Sequence, residues 1–517
     1  MPSSRVYLST TIPYVNSRAH LGHALELVQA DVLARHHRRL GDQVRFQSGT
    51  DDNSLKNVLA AQAAGCSTRD LVRANGRAFA ELRGPLALSY DDYLHTSSDP
   101  RHRPGVERLW QACAASGDLY RQDYEGLYCV GCERFYQPAE LTGGRCPEHG
   151  TPPQEIAERN WFFRLSRYAG QLQELIGSGA LRIEPAERRN EVLGFIASGL
   201  EDFSASRPAS RARGWGIGVP GDPGQVIYVW WDALGNYITA PGYATDPDGY
   251  RRWWADADRR IHLVGKGVLR FHAVYWPAIL LSAGEPLPTD IVVHDYLTAG
   301  GRKISKSAPG ARADPVDLVG RYGTDAVRWW LLREVPRIGD TDFTEDRLVE
   351  CANRDLANGL GNLVSRVTSL ARARGPAVSP RPPAPADAAP AASDAAAALR
   401  GAAGVAPDLV RAALGGFDFR AAIAALWQIV ELANRFAEAT EPWHLAQAAR
   451  DGDVAAAATL DAILGTLLDA CRVLAGELSP FVPDLAAQIG AACGAPGAVV
   501  PEPRRLFPRL ASPAPEG

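Results

Sequence analysis

The strongest constraint on the fold is an alternation at the N-terminus. Arg5 to Thr10 (RVYLST) is a short β-rich run, and Ala19 to Gly41 carries apolar residues at helical spacing before closing on glycine. Gln43 to Thr50 (QVRFQSGT) is β-rich again, and Ser54 to Ala64 returns to a helical pattern. Strand, helix, strand, helix in this order predicts a parallel α/β sheet, because parallel neighbours need a crossover and a helix supplies it. Ligands in such sheets bind beyond the carboxyl ends of strands. Both IPYVNSRAHLGH and GTDDNS fall at such ends.

The alternation resumes at QVIYVWWDAL, RIHLVGKGVLRFHAVYWPAIL and DIVVHDYLTAG, which predicts a second half of the same sheet. The stretch between is rich in turns, Gly and Cys. The expected organisation is therefore a first half of the sheet-bearing domain over 1–117, an insertion over 118–224, and a second half over 225–290. A further segment follows over 291–343, then an α-helical bundle over 344–506 and a loose tail over 507–517. Within the bundle a Pro/Ala-rich connector spans 374–395.

Composition narrows the function classes. The 517 residues are 46% hydrophobic, enough for several cored domains. No apolar run approaches the roughly 20 residues of a membrane helix, and the N-terminus lacks the zones of a signal peptide, so the expectation is a cytoplasmic protein without a membrane partner. A net charge of -4 gives no global attraction to nucleic acid, and any RNA partner must be held by local arginine patches. Five of the eight cysteines, Cys66, Cys113, Cys351, Cys471 and Cys493, stand singly and suit buried inert thiols. Lysine is the informative residue: Lys56, Lys266, Lys303 and Lys306 are the only ones among 55 basic residues.

Three motifs carry chemistry. In HLGH, His20 to His23, two imidazoles flank a glycine where a strand passes into a helix, an arrangement that suits a phosphate at the helix N-terminus. A histidine pair on a surface helix is the competing explanation. KISKS, Lys303 to Ser307, places two lysines three apart on a glycine-flanked loop, suited to closing on the triphosphate as pyrophosphate leaves. A solvated charge run is a poor alternative in a chain that avoids lysine. Cys129 and Cys132 with Cys146 and His149 form a Cys-x2-Cys and Cys-x2-His pair suited to tetrahedral structural zinc, with no open position for catalysis.

Together and in this order, these motifs resemble the methionyl-tRNA synthetases, class I aminoacyl-tRNA synthetases, over nearly the whole chain. HLGH is similar to the HIGH element, KISKS to KMSKS, and CVGCERFY with CPEH to the knuckle of the bacterial form with one zinc site. The resemblance implies a Rossmann-type catalytic sheet with a zinc-bearing insertion and an anticodon-binding helical bundle. His20, Gly22, His23, Lys266, Lys303, Ser305 and Lys306 are then implied for ATP and its Mg2+, with His20, His23, Lys303 and Lys306 stabilising charge on the phosphates. For methionine, Asp51 is implied to hold the ammonium group. Ile12, Tyr14, Trp230, Ala233, Leu234, Tyr237, Val268 and His272 are implied to form the side-chain slot. Each of these slot residues also suits plain core packing. Asn362, Arg366 and Trp443 are implied to read the anticodon of tRNA(Met), and a monomer is expected.

Two departures stand out. Where the family usually continues TDEHG, this chain has Thr50, Asp51, Asp52, Asn53 and Ser54; where it usually has GKD, Gly267 follows Lys266. These motivate an alternative, a synthetase-like paralogue activating an amino acid for specialised metabolism, such as a hydrazine-forming ligase, without charging tRNA. A third reading is a catalytically idle RNA-binding relative, against which the intact HLGH and KISKS argue.

Overall fold

The protein was analysed as a computed structural model that describes residues 3–129, 134–148, 150–304, 313–375, 390–496, 498–502 and 506–512. It divides into two compact units. One is built mainly from Met1–Gly84 and Leu88–Tyr296, the other mainly from Leu297–Ile304 and Ala311–Gly517.

The first unit is organised by six strands: β1 (Arg5–Thr10), β2 (Gln43–Thr50), β3 (Asp92–His95), β4 (Arg182–Glu184), β5 (Arg259–Gly265) and β6 (Asp290–His294). They form one sheet in the order β3-β2-β1-β5-β6-β4, with every neighbouring pair parallel. Leu8 of β1 lies between Phe46 of β2 and Ile261 of β5 in register. Both faces of the central strands are covered, which is why IHLV and IVV are buried at nearly every position, His262 included, rather than alternating. The strand order reverses between β1 and β5. That switch point is where an open parallel sheet leaves a crevice at its carboxyl edge.

The stretch 118–224 differs from a single insertion. Leu119–Cys129, Arg134–Tyr136, Gln154–Phe163 and Phe203–Ser204 do form a separate antiparallel sheet, and Ser206–Pro208, Gly218–Val219 and Asp222–Ile227 form a smaller one. Between these excursions the chain returns to the main sheet as β4, where Ile183 pairs with Ile291. Three residues are too few for any periodic signal, so this edge strand is invisible to pattern reasoning.

The second unit holds a short three-stranded sheet and then helices. After Pro315–Tyr322 and Thr324–Arg333, Thr344 caps the helix Glu345–Ala352, accepting from the backbone N–H of Arg347 at 3.2 Å. Helices follow over Asn362–Arg374, Pro390–Gly415, Phe419–Thr440, Pro442–Arg450, Val454–Leu478 and Pro483–Cys493. Most of the Pro/Ala-rich connector lies outside the described residues. Against the expectation that no apolar run is long enough, one helix among the described residues, Val454–Leu478, is long and apolar enough to cross a membrane, with mean hydropathy 1.6. Half of that window is buried, and Leu460, Leu464, Leu467 and Leu474 supply its core face. Interleaved alanines raise its hydropathy without forming an unbroken large-apolar run.

Candidate active site

After β1 the chain loops through Thr11–Ala19 and enters the helix Leu21–Arg39 through His20, which caps it with φ -130° and ψ 171°. The cap is reciprocal. His20 Nδ1 accepts from the backbone of Gly22 at 3.2 Å, and His23 Nδ1 accepts from the backbone of His20 at 3.1 Å. In the neutral ring, an accepting Nδ1 leaves the proton on Nε2, so each imidazole keeps one N–H donor. The rings stack at 3.7 Å. Glycine at 22 leaves room for this stack, because a Cβ there would sit 3.0 Å from His20 Cε1 and press on the ring. Two ring donors and the positive end of a 19-residue helix thus coincide at the carboxyl edge of β1.

Asp51 is placed beside this loop by the backbone. Its N–H donates to Pro13 O at 2.9 Å, and it bridges to Tyr14. The carboxylate is buried, 2% exposed. Around it the loop is tightly held: Asn57 Nδ2 donates to the carbonyls of Asp51 and Asp52 at 3.0 and 2.9 Å. Ser54 caps the helix Leu55–Ala63 by accepting from Lys56 N at 3.0 Å. The Lys56 ammonium lies 4.6 Å over the Tyr14 ring. Asn53 donates to Asp232 at 2.8 Å, and the second oxygen of Asp232 meets His102 Nε2 at 2.5 Å.

The candidate amino-acid slot is aromatic and neutral. Trp230 stacks on Phe271 at 3.8 Å and meets Tyr14 edge-on at 6.4 Å. His272 Nδ1 lies 2.9 Å from Val268 O, a group that only accepts, so the proton is on Nδ1 and Nε2 accepts from the Tyr237 hydroxyl at 2.7 Å. Burial pushes the His272 pKa down to about 4, and the ring is uncharged at neutral pH. Ala233 is 5% exposed beside them, whereas Leu234 and Tyr237 belong to the main hydrophobic core with Trp231. Ile12 packs at Gly49, where a Cβ would come within 3.1 Å of its Cγ2.

Lys266 and Val268 share the single turn that follows β5. Nearby, Glu26 joins three elements: its carboxylate accepts from Thr11 N at 2.7 Å and pairs with His294 Nε2 at 2.9 Å. Burial opposes a charge on His294, but the hydrogen bond and charge of Glu26 outweigh it, and the net pKa shift is upward.

The remaining predicted residues are distributed as follows. Lys303 lies in the strand Arg302–Lys303 of the second unit; its side chain, and Ser305 and Lys306 altogether, fall outside the described residues. Cys129 and Cys146 are buried together with Tyr136, whose hydroxyl is 3.4 Å from the Cys146 sulfur. Gly150 N donates to Cys146 O at 2.8 Å, closing a tight turn after the second cysteine. Cys129 and Cys146 are thus thiols of one buried cluster, donors of the type zinc takes, while Cys132 and His149 lie outside the described residues. Asn362 and Arg366 are exposed one turn apart on Asn362–Arg374, and Arg366 donates to Asn434 Oδ1 at 2.8 Å. Trp443, 40% exposed, stands on Pro442–Arg450, a helix packed against Asn362–Arg374.

Sequence reasoning missed several neighbours of the site. Trp215 Nε1 donates to Asp52 O at 2.8 Å from 163 residues away, Phe271 supplies the face on which Trp230 stacks, and His102 buttresses Asp232. Only Phe271, adjacent to His272, carried any local signal.

A parallel sheet reversing its order beside a histidine-capped helix, with a buried carboxylate and an apolar slot at the same edge, defines a class I tRNA synthetase. The family model described as tRNA synthetases class I (M) matches residues 6–155 and 136–368. A methionine--tRNA ligase of Brucella suis is 38% identical over 98% of each chain, and one of Caldanaerobacter subterraneus is 37% identical over 92% of this chain and 72% of its own length. Mycobacterium tuberculosis methionyl-tRNA synthetase in complex with methionyl-adenylate superposes with a TM-score of 0.89 at 37% identity, covering 98% of this chain and 99% of that one. The chain belongs to the methionine--tRNA ligase family.

Proposed function

We propose that this chain activates methionine with ATP and charges tRNA(Met). The observation that carries the reading is the backbone bridge between Tyr14 and Asp51: it sets a buried carboxyl group suited to an ammonium beside the residue whose ring meets Trp230 in an uncharged slot. A flexible thioether gains area and sulfur–aromatic contact from Tyr14 and Trp230, and neutral His272 adds no charge for it to desolvate.

In the first step an oxygen of the methionine carboxylate attacks the α-phosphorus of ATP, the bond to the bridging oxygen breaks, and pyrophosphate leaves with the electron pair. No protein group is covalently modified, so catalysis is positioning and charge stabilisation. Asp51 holds the ammonium, and His20 and His23 offer their N–H groups to the phosphates at the helix terminus. Lys266, Lys303 and Lys306 add positive charge, with Ser305 on the same loop as the last two, and Mg2+ enters with ATP. In the second step a ribose hydroxyl of the terminal adenosine of tRNA attacks the methionyl carbonyl and AMP is released. Asn362, Arg366 and Trp443 contact the anticodon, the tryptophan by stacking.

Cys129, Cys132, Cys146 and His149 hold one structural zinc that stiffens the insertion. We place the enzyme in the cytoplasm, with its tRNA substrate, as a monomer. The test is pyrophosphate exchange across a panel of amino acids followed by charging of initiator and elongator tRNA. Methionine-dependent exchange with charging is expected; exchange without charging identifies the specialised-metabolism ligase. Asn53 and Ser54, which motivated that alternative, each have a structural task in the Asp51 loop.

A further inference from the structure

The second departure from the family pattern, Gly267, has a specific neighbour. A Cβ built on Gly267 would lie 2.0 Å from the Tyr296 hydroxyl oxygen and 3.2 Å from its Cζ. The phenol therefore occupies the space into which any side chain at 267 projects. The same ring carries the Lys266 ammonium 4.7 Å from its centroid. Glycine, lysine and tyrosine form one local assembly across 30 residues of sequence, since the turn Lys266–Val268 follows β5 and Tyr296 follows the adjacent, parallel β6.

We infer that Gly267 and Tyr296 act as a unit that positions Lys266 for the phosphates of ATP: glycine admits the phenol to the backbone, and the ring fixes the lysine. This rests on the proposed ATP-dependent activation. The aromatic face replaces, as the group that orients Lys266, whatever a longer residue at 267 supplies in relatives with GKD. Lys266 has a long flexible stem, and a ring beneath its ammonium restricts it without neutralising it, whereas a carboxylate neighbour would compete with the phosphates for that charge. Tyr296 is a positioning residue on this account. It acts on ATP through Lys266 and leaves the methionine slot alone.

The test is a double-mutant cycle on the full-length protein, reading the dissociation constant of Mg-ATP by direct titration and, separately, the KM values for ATP and methionine in pyrophosphate exchange. Y296L is expected to weaken ATP about three- to tenfold and leave the KM for methionine unchanged, while Y296F, which keeps the ring, stays near wild type. G267A, which pushes the phenol away, is expected to weaken ATP similarly. In G267A/Y296L the two losses do not add, because the space is already empty. Additive losses, an unchanged ATP constant in Y296L, or equal weakening of both substrates overturns the inference. Wild-type protein that binds ATP but fails methionine-dependent exchange sinks the proposed function instead, and the titration arm still decides the Tyr296 question. A thermal melt of each variant separates unfolding from loss of affinity; should Y296L not fold, the G267A and Y296F pair decides.

Discussion

Asn53 donates its side-chain amide to the buried carboxylate of Asp232 at 2.8 Å, joining the Asp51 loop to the helix Val229–Thr239 across 179 residues of sequence. The residue that departs from the family pattern thus ties the Asp51 loop to the helix bearing Trp230 and Tyr237. Asp232 is 1% exposed and shares its other oxygen with His102. A buried carboxylate in this position depends on both donors.

Asn53→Ala removes one of them. The expected cost is about 1–3 kcal/mol of stability, the range for a buried acceptor left without a partner, seen as a lower urea midpoint with unchanged slope. Asn53→His, which restores a donor, loses less. An unmoved midpoint in Asn53→Ala contradicts the network.

Ser54 stands where relatives usually have glycine, and its hydroxyl caps the helix Leu55–Ala63. Ser54→Ala is expected to lose about 1 kcal/mol and Ser54→Gly only a few tenths. Equal losses in the two variants, measured by denaturant unfolding, indicate that the cap contributes nothing.

Tyr237→Phe deprives neutral His272 of its donor at Nε2. A rise of about five- to tenfold in the KM for methionine is expected, with the KM for ATP unmoved. Because burial holds the His272 pKa down to about 4, the KM for methionine in the wild type should be flat between about pH 6 and 8. A titration of methionine affinity in that window contradicts a neutral ring.

His294 behaves in the opposite sense. Its pKa is raised by Glu26, so the folded state holds the proton more tightly than the unfolded chain. The stabilisation is complete below the unfolded value of about 6.5 and disappears as pH rises through the higher folded value. Comparing wild type with Glu26→Gln by unfolding, the gap is expected to be wider near pH 6 than near pH 9 (on the order of the limits of that window). A gap that grows with pH reverses the assignment.

Metal analysis of the purified protein is expected to give about one zinc per chain, the stoichiometry of a four-ligand structural site. Cys146→Ser should abolish it and lower the thermal midpoint while leaving ATP binding intact. A zinc-free wild type with full stability removes the knuckle as a metal site.

What the chain states openly is local. RVYLST, QVRFQSGT and IHLV are strands because short β-rich runs bounded by turns suit a sheet covered on both faces. HLGH begins a helix where strand periodicity changes to helical spacing. The three-residue β4 escaped, being too short for a period, while Val454–Leu478 falls in the expected helical bundle and only its apolar length went unread, because alanines break up its large apolar residues. The slot residues could be named only through resemblance, since Trp230, Leu234 and His272 are as well explained by packing; the structure in fact sends Leu234 into the core.

The sequence by itself determined the class of sheet, the histidine-capped helix and the cysteine spacing, because propensity, capping and ligand spacing act within a few residues. Tertiary structure alone decided that Asn53 meets Asp232, that Glu26 meets His294, and that Tyr296 fills the space beside Gly267. Those pairs form only when crossovers bring the carboxyl ends of parallel strands to one edge, and nothing in the local pattern of either partner encodes the other.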